Sequence, residues 1–263
     1  VNILLNLAYG PIVNAARGIA NTVNRAVCGF SSNFMTALNP QITKHYAAGD
    51  KEYTFSLVER GSRFCFYIMF IFALPLCLET EFILTIWLKQ YPEHTISFVR
   101  LILIFSLSEA LSHTLLYLQW ATGKIRNYQL VIGGTTLLCF FLSYIVLKLG
   151  YPPESPLIIT IGISILCLLL RLLLLKKMAG LSIFSFIKNV CVNTAYVAIL
   201  SSIIPAIVHF SMDYGWMRFL MTGSTSVICS SLVILLIGCN HTERLFILKK
   251  LPIIKSWIKQ KGN

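Results

Sequence analysis

The sequence predicts an all-α, polytopic transmembrane bundle, and three observations carry that prediction. Of the 263 residues, 56% are hydrophobic and only 12% are charged, against roughly a quarter charged in an ordinary soluble domain. Apolar runs close to the ~20 residues that a helix needs to cross a bilayer recur along the chain. The runs are continuous and do not alternate with period two, which argues against a membrane barrel.

Val1 opens inside an apolar stretch, without the charged start or the cleavage site of a signal peptide. Residues 1–9 therefore read as the end of a truncated span, and the chain as a fragment lacking an upstream half. Gly10 and Pro11 punctuate next, Pro11 being suited to the first turn of a new helix. That helix, 12–38, is polar along one side and is expected to face a cavity and not lipid. A polar connection follows over 39–61, with Pro40, Gly49 and Asp50. Six clearer spans are predicted at 64–87, 97–121, 128–149, 157–175, 186–210 and 216–238, with Pro75 and Pro205 as tolerated kinks. The tail, 239–263, is basic.

The net charge of +12 would point to nucleic acid in a soluble protein. Here it reports topology and implies no nucleic-acid partner, because the basic residues sit between apolar spans. One set of connections holds Lys44, Lys51, Arg60 and Arg63, then Lys124 and Arg126, then Arg171, Lys176, Lys177 and Lys188. The tail adds Arg244, Lys249, Lys250, Lys255, Lys259 and Lys261 to the same side. The alternate connections hold only Lys89, Lys148 and Arg218, with Arg100 near one end. The basic side, and with it the C-terminus, is expected in the cytoplasm. Eight cysteines are scattered singly in or beside apolar segments, where they read as small packing residues; neither a disulfide framework nor a metal site is expected.

Ionisable groups inside a membrane are costly, which makes them functional candidates. Arg17 and Arg25 lie on the 12–38 helix, and Glu109 lies in the 97–121 span. Asn14, Arg17, Asn21 and Asn24 are spaced three, seven and ten residues from the first, along one helical face, with Arg25 beside them. The opposite side carries Ile12, Ala16, Ile19, Val23 and Val27. A stripe of amides with two fixed cations suits an anionic head group, since guanidinium grips phosphate oxygens as a fork and keeps its charge when desolvated. The other reading is that both arginines pair with acids elsewhere in the bundle, or snorkel. Glu109 and His113, four apart, can touch. They read either as a proton or coupling-ion relay or as a packing pair. Glu79 and Glu81 lie near the outer end of their span, where interfacial solvation accounts for them. No catalytic constellation is present: there is no P-loop, nucleophile elbow or H-E-x-x-H, so neither an enzyme nor a cofactor is expected.

Several segments resemble bacterial polysaccharide flippases of the multidrug, oligosaccharidyl-lipid and polysaccharide exporter superfamily. Asn6-Leu7-Ala8-Tyr9-Gly10-Pro11-Ile12-Val13-Asn14-Ala15-Ala16-Arg17-Gly18-Ile19-Ala20 is similar to their seventh-to-eighth helix junction. Asn33-Phe34-Met35, Asn39-Pro40-Gln41-Ile42-Thr43-Lys44, Tyr46-Ala47-Ala48-Gly49-Asp50, Ala121-Thr122-Gly123-Lys124-Ile125 and Leu149-Gly150-Tyr151-Pro152-Pro153-Glu154-Ser155 add to the likeness. It covers nearly the whole chain and is firmest over 1–60 and 120–155. The resemblance implies a two-bundle exporter fold worked by alternating access. On it, 1–175 is the second transport bundle with a truncated first helix, 176–238 two additional C-terminal helices, and 239–263 a basic cytoplasmic tail.

It further implies a bacterial inner-membrane protein that flips polyprenyl-pyrophosphate-linked oligosaccharide for surface polysaccharide or lipopolysaccharide synthesis. Its partners would be that lipid-linked sugar, the bilayer and polysaccharide assembly proteins. A multidrug or small-molecule antiporter of the same superfamily would want acidic cavity residues, whereas this chain offers Arg17 and Arg25 against Glu109. A membrane-embedded polysaccharide polymerase generally needs a large outer loop or a catalytic acid motif, and the sequence shows neither.

Overall fold

The structure, a computed structural model, describes residues 2–240 and 242–245. Among these residues every regular element is helical. In chain order the elements are α1 (Asn2–Ala47), α2 (Lys51–Leu78), α3 (Thr80–Leu88), α4 (Thr95–Ala110), α5 (His113–Thr122), α6 (Ile125–Lys148) and α7 (Ser155–Ala179). A short α8 (Ile183–Phe186) runs through a π-helical turn, 187–192, into α9 (Asn193–Ser211). Then α10 (Trp216–Val233) ends in a second π turn, 234–238. Six stretches are long and apolar enough to span a membrane: 51–78, 95–122, 125–148, 155–179, 183–211 and 216–238. They coincide with the six expected spans, and the chain is a multi-pass, all-α membrane bundle. The expected basic tail lies almost wholly outside the described residues.

The first helix departs from expectation. The predicted break at Gly10–Pro11 is present, with Gly10 at φ 80° and ψ −175°, a conformation open to glycine and costly for other residues. Pro40, by contrast, does not end the helix, and the expected connection over 39–61 shrinks to Ala48–Asp50. The cause is packing. Ile42, fully buried, plugs the cluster formed by Leu57, Val58, Leu115, Leu118 and Tyr128, and this holds the helix together past the proline. Gly49 then takes a left-handed φ of 82°, and the Asp50 carboxylate accepts from the Tyr53 N–H at 3.2 Å to start α2.

The expected 97–121 span is likewise split. Leu111 and Ser112 separate α4 from α5. The Ser62 hydroxyl of α2 donates to the Leu111 carbonyl at 3.0 Å, so a polar group freed by the break is satisfied inside the bundle.

The core has three parts. Val13, Ala16, Ala20, Val27 and Met35 of α1 pack with Cys65, Met69 and Ala73 of α2 and with Phe98, Val99, Ile102 and Leu103 of α4. A second cluster joins α2, α5, α6 and α7 around Ile42. In the third, Phe66, Tyr67, Phe70 and Leu74 of α2 receive Val197 of α9 and Ile234. The α9–α10 hairpin docks there with Ser201, Thr222, Ser226 and Ser230 all buried; small side chains of this kind let helices approach closely in a membrane.

Side-chain links fix which connections share an end of the bundle. At one end Glu59 accepts from Ser185 at 2.6 Å and from Asn189 at 2.9 Å. Glu243 lies there 2.7 Å from Arg63 and 3.3 Å from Arg60. Across the opposite end, His94 Nδ1 and Glu154 Oε1 are 2.6 Å apart, and the Tyr9 hydroxyl donates to the Tyr151 carbonyl at 2.5 Å.

Candidate functional site in the first helix

The heptad-like spacing of Val13, Ala16, Ala20, Val27 and Met35 turns one side of α1 into the bundle. Asn14, Arg17, Asn21 and Asn24 run along the border of that contact and are half-buried, while Arg25 is exposed. The stripe read from the sequence therefore exists as one edge of a helix. On its apolar side Ala16 and Val27 are buried and Ile19 and Val23 half-buried, but Ile12 is 66% exposed.

Beyond the stripe, the side of α1 turned away from its neighbours carries Gly18, Thr22, Arg25, Gly29, Asn33 and Thr36, all exposed. The outward residues of α6 and α7 make the contrast: Leu130, Leu137, Leu138, Phe141, Leu169 and Leu173 are large, apolar and exposed. These suit lipid, whereas the open side of α1 is small and polar; Phe30, at its margin, turns to α2 and stacks on Phe72 with ring centroids 4.3 Å apart.

Hydrogen bonding within α1 is local. Thr22 donates to the Gly18 carbonyl at 3.1 Å, and Arg25 Nη2 donates to the Thr22 hydroxyl at 3.2 Å. Cys28 Sγ lies 3.6 Å from Asn24 Oδ1. Arg17 differs from all of these. Its Nε and Nη1 are buried and have no hydrogen-bond partner.

Every other arginine set inside the bundle has found a carboxylate. Arg63 binds Glu243; Arg218 Nη2 reaches Glu79 Oε2 at 3.2 Å; Arg171 Nη1 lies 3.7 Å from Glu109 Oε2. No ion pair among the described residues includes Arg17 or Arg25.

Glu109 and His113 are brought near each other without bonding. Glu109 Oε1 accepts from Ser164 of α7 at 2.5 Å, and Ser164 in turn lies 2.9 Å from the Ser108 hydroxyl. His113 Nδ1 sits 3.7 Å from Cys65 Sγ. The helix break at Leu111–Ser112 puts the two residues on separate helices, so the four-residue spacing no longer stacks them. Arg171 was expected in a basic connection; it stands inside α7, eight residues before that helix ends, roughly 12 Å along its axis. The signal for this lay in the sequence, since Arg171 interrupts an unbroken leucine run from Leu168 to Leu175.

Glu79 also corrects its expectation. It is not an interfacial, solvated carboxylate but is 1% exposed. It is held by Arg218 and by His209 Nδ1, the latter 2.7 Å away. Arg218 also lies over the Tyr214 ring, 4.9 Å from its centroid. Glu81 is exposed as expected.

Comparison with protein-family models, with curated proteins and with solved structures finds no match for the chain.

Proposed function

We propose that the chain belongs to a flippase that carries polyprenyl-pyrophosphate-linked oligosaccharide across the bacterial inner membrane, for surface polysaccharide or lipopolysaccharide synthesis, by alternating access. The observation that carries this reading is Arg17: a guanidinium within the bundle whose Nε and Nη1 are buried and unpartnered. Buried donors of this kind are costly unless an acceptor reaches them. A pyrophosphate supplies several charged oxygens and matches the guanidinium fork. Arg25 adds a second cation on the adjoining polar side, and Asn14, Asn21 and Asn24 add amides along the same edge.

The charge balance favours an anionic cargo over a cationic drug. Glu59, Glu79 and Glu109, the carboxylates set inside the spans, are already engaged by Ser185 and Asn189, by His209 and Arg218, and by Ser164 and Arg171. The unpaired charge left on α1 is positive. Resemblance of the 1–60 and 120–155 segments to polysaccharide flippases supports the same conclusion. Within it, the end carrying Lys51, Lys124, Lys176 and Lys177 faces the cytoplasm, and Glu109 with His113 couples transport to an ion gradient.

The test is complementation of a flippase-null strain with the full-length protein. Arg17→Ala is expected to reach the membrane, to restore no surface polysaccharide and to bind the lipid-linked substrate about ten- to a hundredfold more weakly, since a hydrogen bond to a charged group contributes roughly 1.5–3 kcal/mol. Arg17→Lys keeps the charge without the fork and is expected to be partly active. Normal surface polysaccharide from a well-expressed Arg17→Ala protein would falsify the assignment. Loss of the protein itself makes Arg17 structural.

A further inference from the structure

At the end of the bundle that carries the basic connections, a cleft of about 510 Å³ opens between the α5–α6 turn and the last turns of α7. Lys124, Arg126 and Lys177 line it, together with Asn127, Leu174 and Met178. All three cations are exposed, and none belongs to an ion pair among the described residues. Three like charges converging on one cleft repel one another, and an anion placed among them reverses the sign of that interaction.

Helix α6 begins in this cleft. Its N-cap residue is Lys124, no side chain caps it, and its first turn holds no acidic residue. The free N–H groups of a first turn favour negative charge. Deeper along the same two helices, large apolar side chains are exposed: Leu130 and Leu137 on α6, Leu169 and Leu173 on α7. The cleft therefore sits where a lipid-facing pair of helices emerges into the head-group layer. Leu174 and Met178 supply the apolar wall on which a glycerol backbone can rest.

We propose that this cleft is a phosphate-ester site, filled by the head group of an anionic phospholipid of the leaflet at the basic end. Arg126 presents a fork to the phosphate oxygens, and Lys124 and Lys177 act as point charges beside it. The lipid chains run down the α6–α7 surface. The site is separate from the α1 stripe and does not depend on the cargo assigned there.

Native mass spectrometry of the full chain in neutral detergent, with phosphatidylglycerol or phosphatidylcholine added, tests the proposal. Phosphatidylglycerol is expected to be retained in preference to phosphatidylcholine. Lys124→Gln/Arg126→Gln/Lys177→Gln is expected to lower that retention by roughly 100- to 200-fold, at about five- to sixfold per basic residue near a membrane surface. If the triple variant does not fold, Arg126→Gln alone reads the same effect at about five- to sixfold. Lys44→Gln/Lys51→Gln, which removes two exposed lysines elsewhere at the same end, is expected to retain the lipid. Inorganic phosphate separates the sources: displacement of the lipid at millimolar phosphate shows that soluble phosphates share the cleft, and its failure to displace assigns the cleft to lipid. Equal retention of the two lipids, equal retention by the wild-type and triple-variant chains, or an equal loss in the Lys44/Lys51 control overturns the site.

Discussion

A charge placed in an apolar run is legible in a sequence; its partner seldom is. Glu109 stands out because it interrupts a membrane-spanning pattern, and Arg17 because it joins a polar stripe on a helix whose other side is apolar. The ligands of Glu79 could not be read in that way, since His209 and Arg218 lie 130 and 139 residues along the chain. A glutamate near the end of a span looks solvated until the docked hairpin covers it, which is why Glu79 and Glu81 appear equivalent in the sequence and are not in the fold. Their difference is measurable. Glu79→Ala leaves the half-buried Arg218 and His209 without their carboxylate and is expected to destabilise the protein by about 3 kcal/mol. Glu81→Ala, at an exposed position, is expected to fall within about 0.5 kcal/mol of wild type. Thermal unfolding of the two variants in the same detergent makes the comparison, and equal losses would refute the buried triad. On the proposed function, Glu109→Gln bears on transport. It removes the charge facing Arg171 while keeping an oxygen for Ser164, so gradient dependence is expected to vanish with substrate binding retained. A variant that still follows the gradient would leave Glu109 with a packing role.

At the scale of the helix, continuous apolar runs located the spans and missed how they end. Length and hydropathy place six spans, yet they carry no information about Ile42, whose burial against α2, α5 and α6 extends α1 past Pro40. Nor do they show that the helix can be interrupted after Ala110, with the Leu111 carbonyl taken up by Ser62. Both boundaries are decided by contacts distant in sequence, which override local propensity. Gly61 marks the tightest of these approaches: a Cβ there would meet Leu38 and come within 2.8 Å of Thr114 Cγ2. Thr114 cannot easily yield, since its hydroxyl is held by Ser62 and by the Val58 carbonyl. Gly61→Val is therefore expected to cost about 1–3 kcal/mol by overpacking, whereas Gly133→Val, where a Cβ meets nothing within 4 Å, is expected to be tolerated. A second junction rests on Tyr67. Its hydroxyl lies 2.5 Å from Asn193 Oδ1 and 3.2 Å from the Gly238 carbonyl, joining the ends of both π turns to α2. Tyr67→Phe is expected to lower stability by about 1–3 kcal/mol, through the acceptors it leaves unpaired. Unfolding midpoints of the three variants read both effects, and a neutral Tyr67→Phe would detach the π turns from this role.

At the scale of the whole molecule, the two ends of the bundle differ in charge, and the side-chain links across each end show that the difference belongs to a shape and not only to an alternating list. Glu59 with Ser185 and Asn189, and Glu243 with Arg60 and Arg63, gather the basic connections at one end. His94 with Glu154 gathers the opposite connections. Arg171 and Arg63 leave the count of topology-setting charges, because each is paired with a carboxylate, but Lys44, Lys51, Lys124, Arg126, Lys176 and Lys177 remain exposed at the basic end. Lys89 and Lys148 stand opposite them. That asymmetry orients helical membrane proteins with the basic end in the cytoplasm. The final prediction follows from this. In a background with all eight cysteines replaced, a single cysteine at Lys51, in the α1–α2 turn, is expected to escape a membrane-impermeant maleimide in intact cells and to react once the cells are opened. A cysteine at Glu93, in the α3–α4 connection of the opposite end, is expected to react in intact cells. The reverse pattern inverts the orientation and removes the phosphate-ester cleft from the cytoplasmic leaflet. Labelling of both sites in intact cells contradicts the span count between them, because α2 must then fail to cross the bilayer despite its 28 residues.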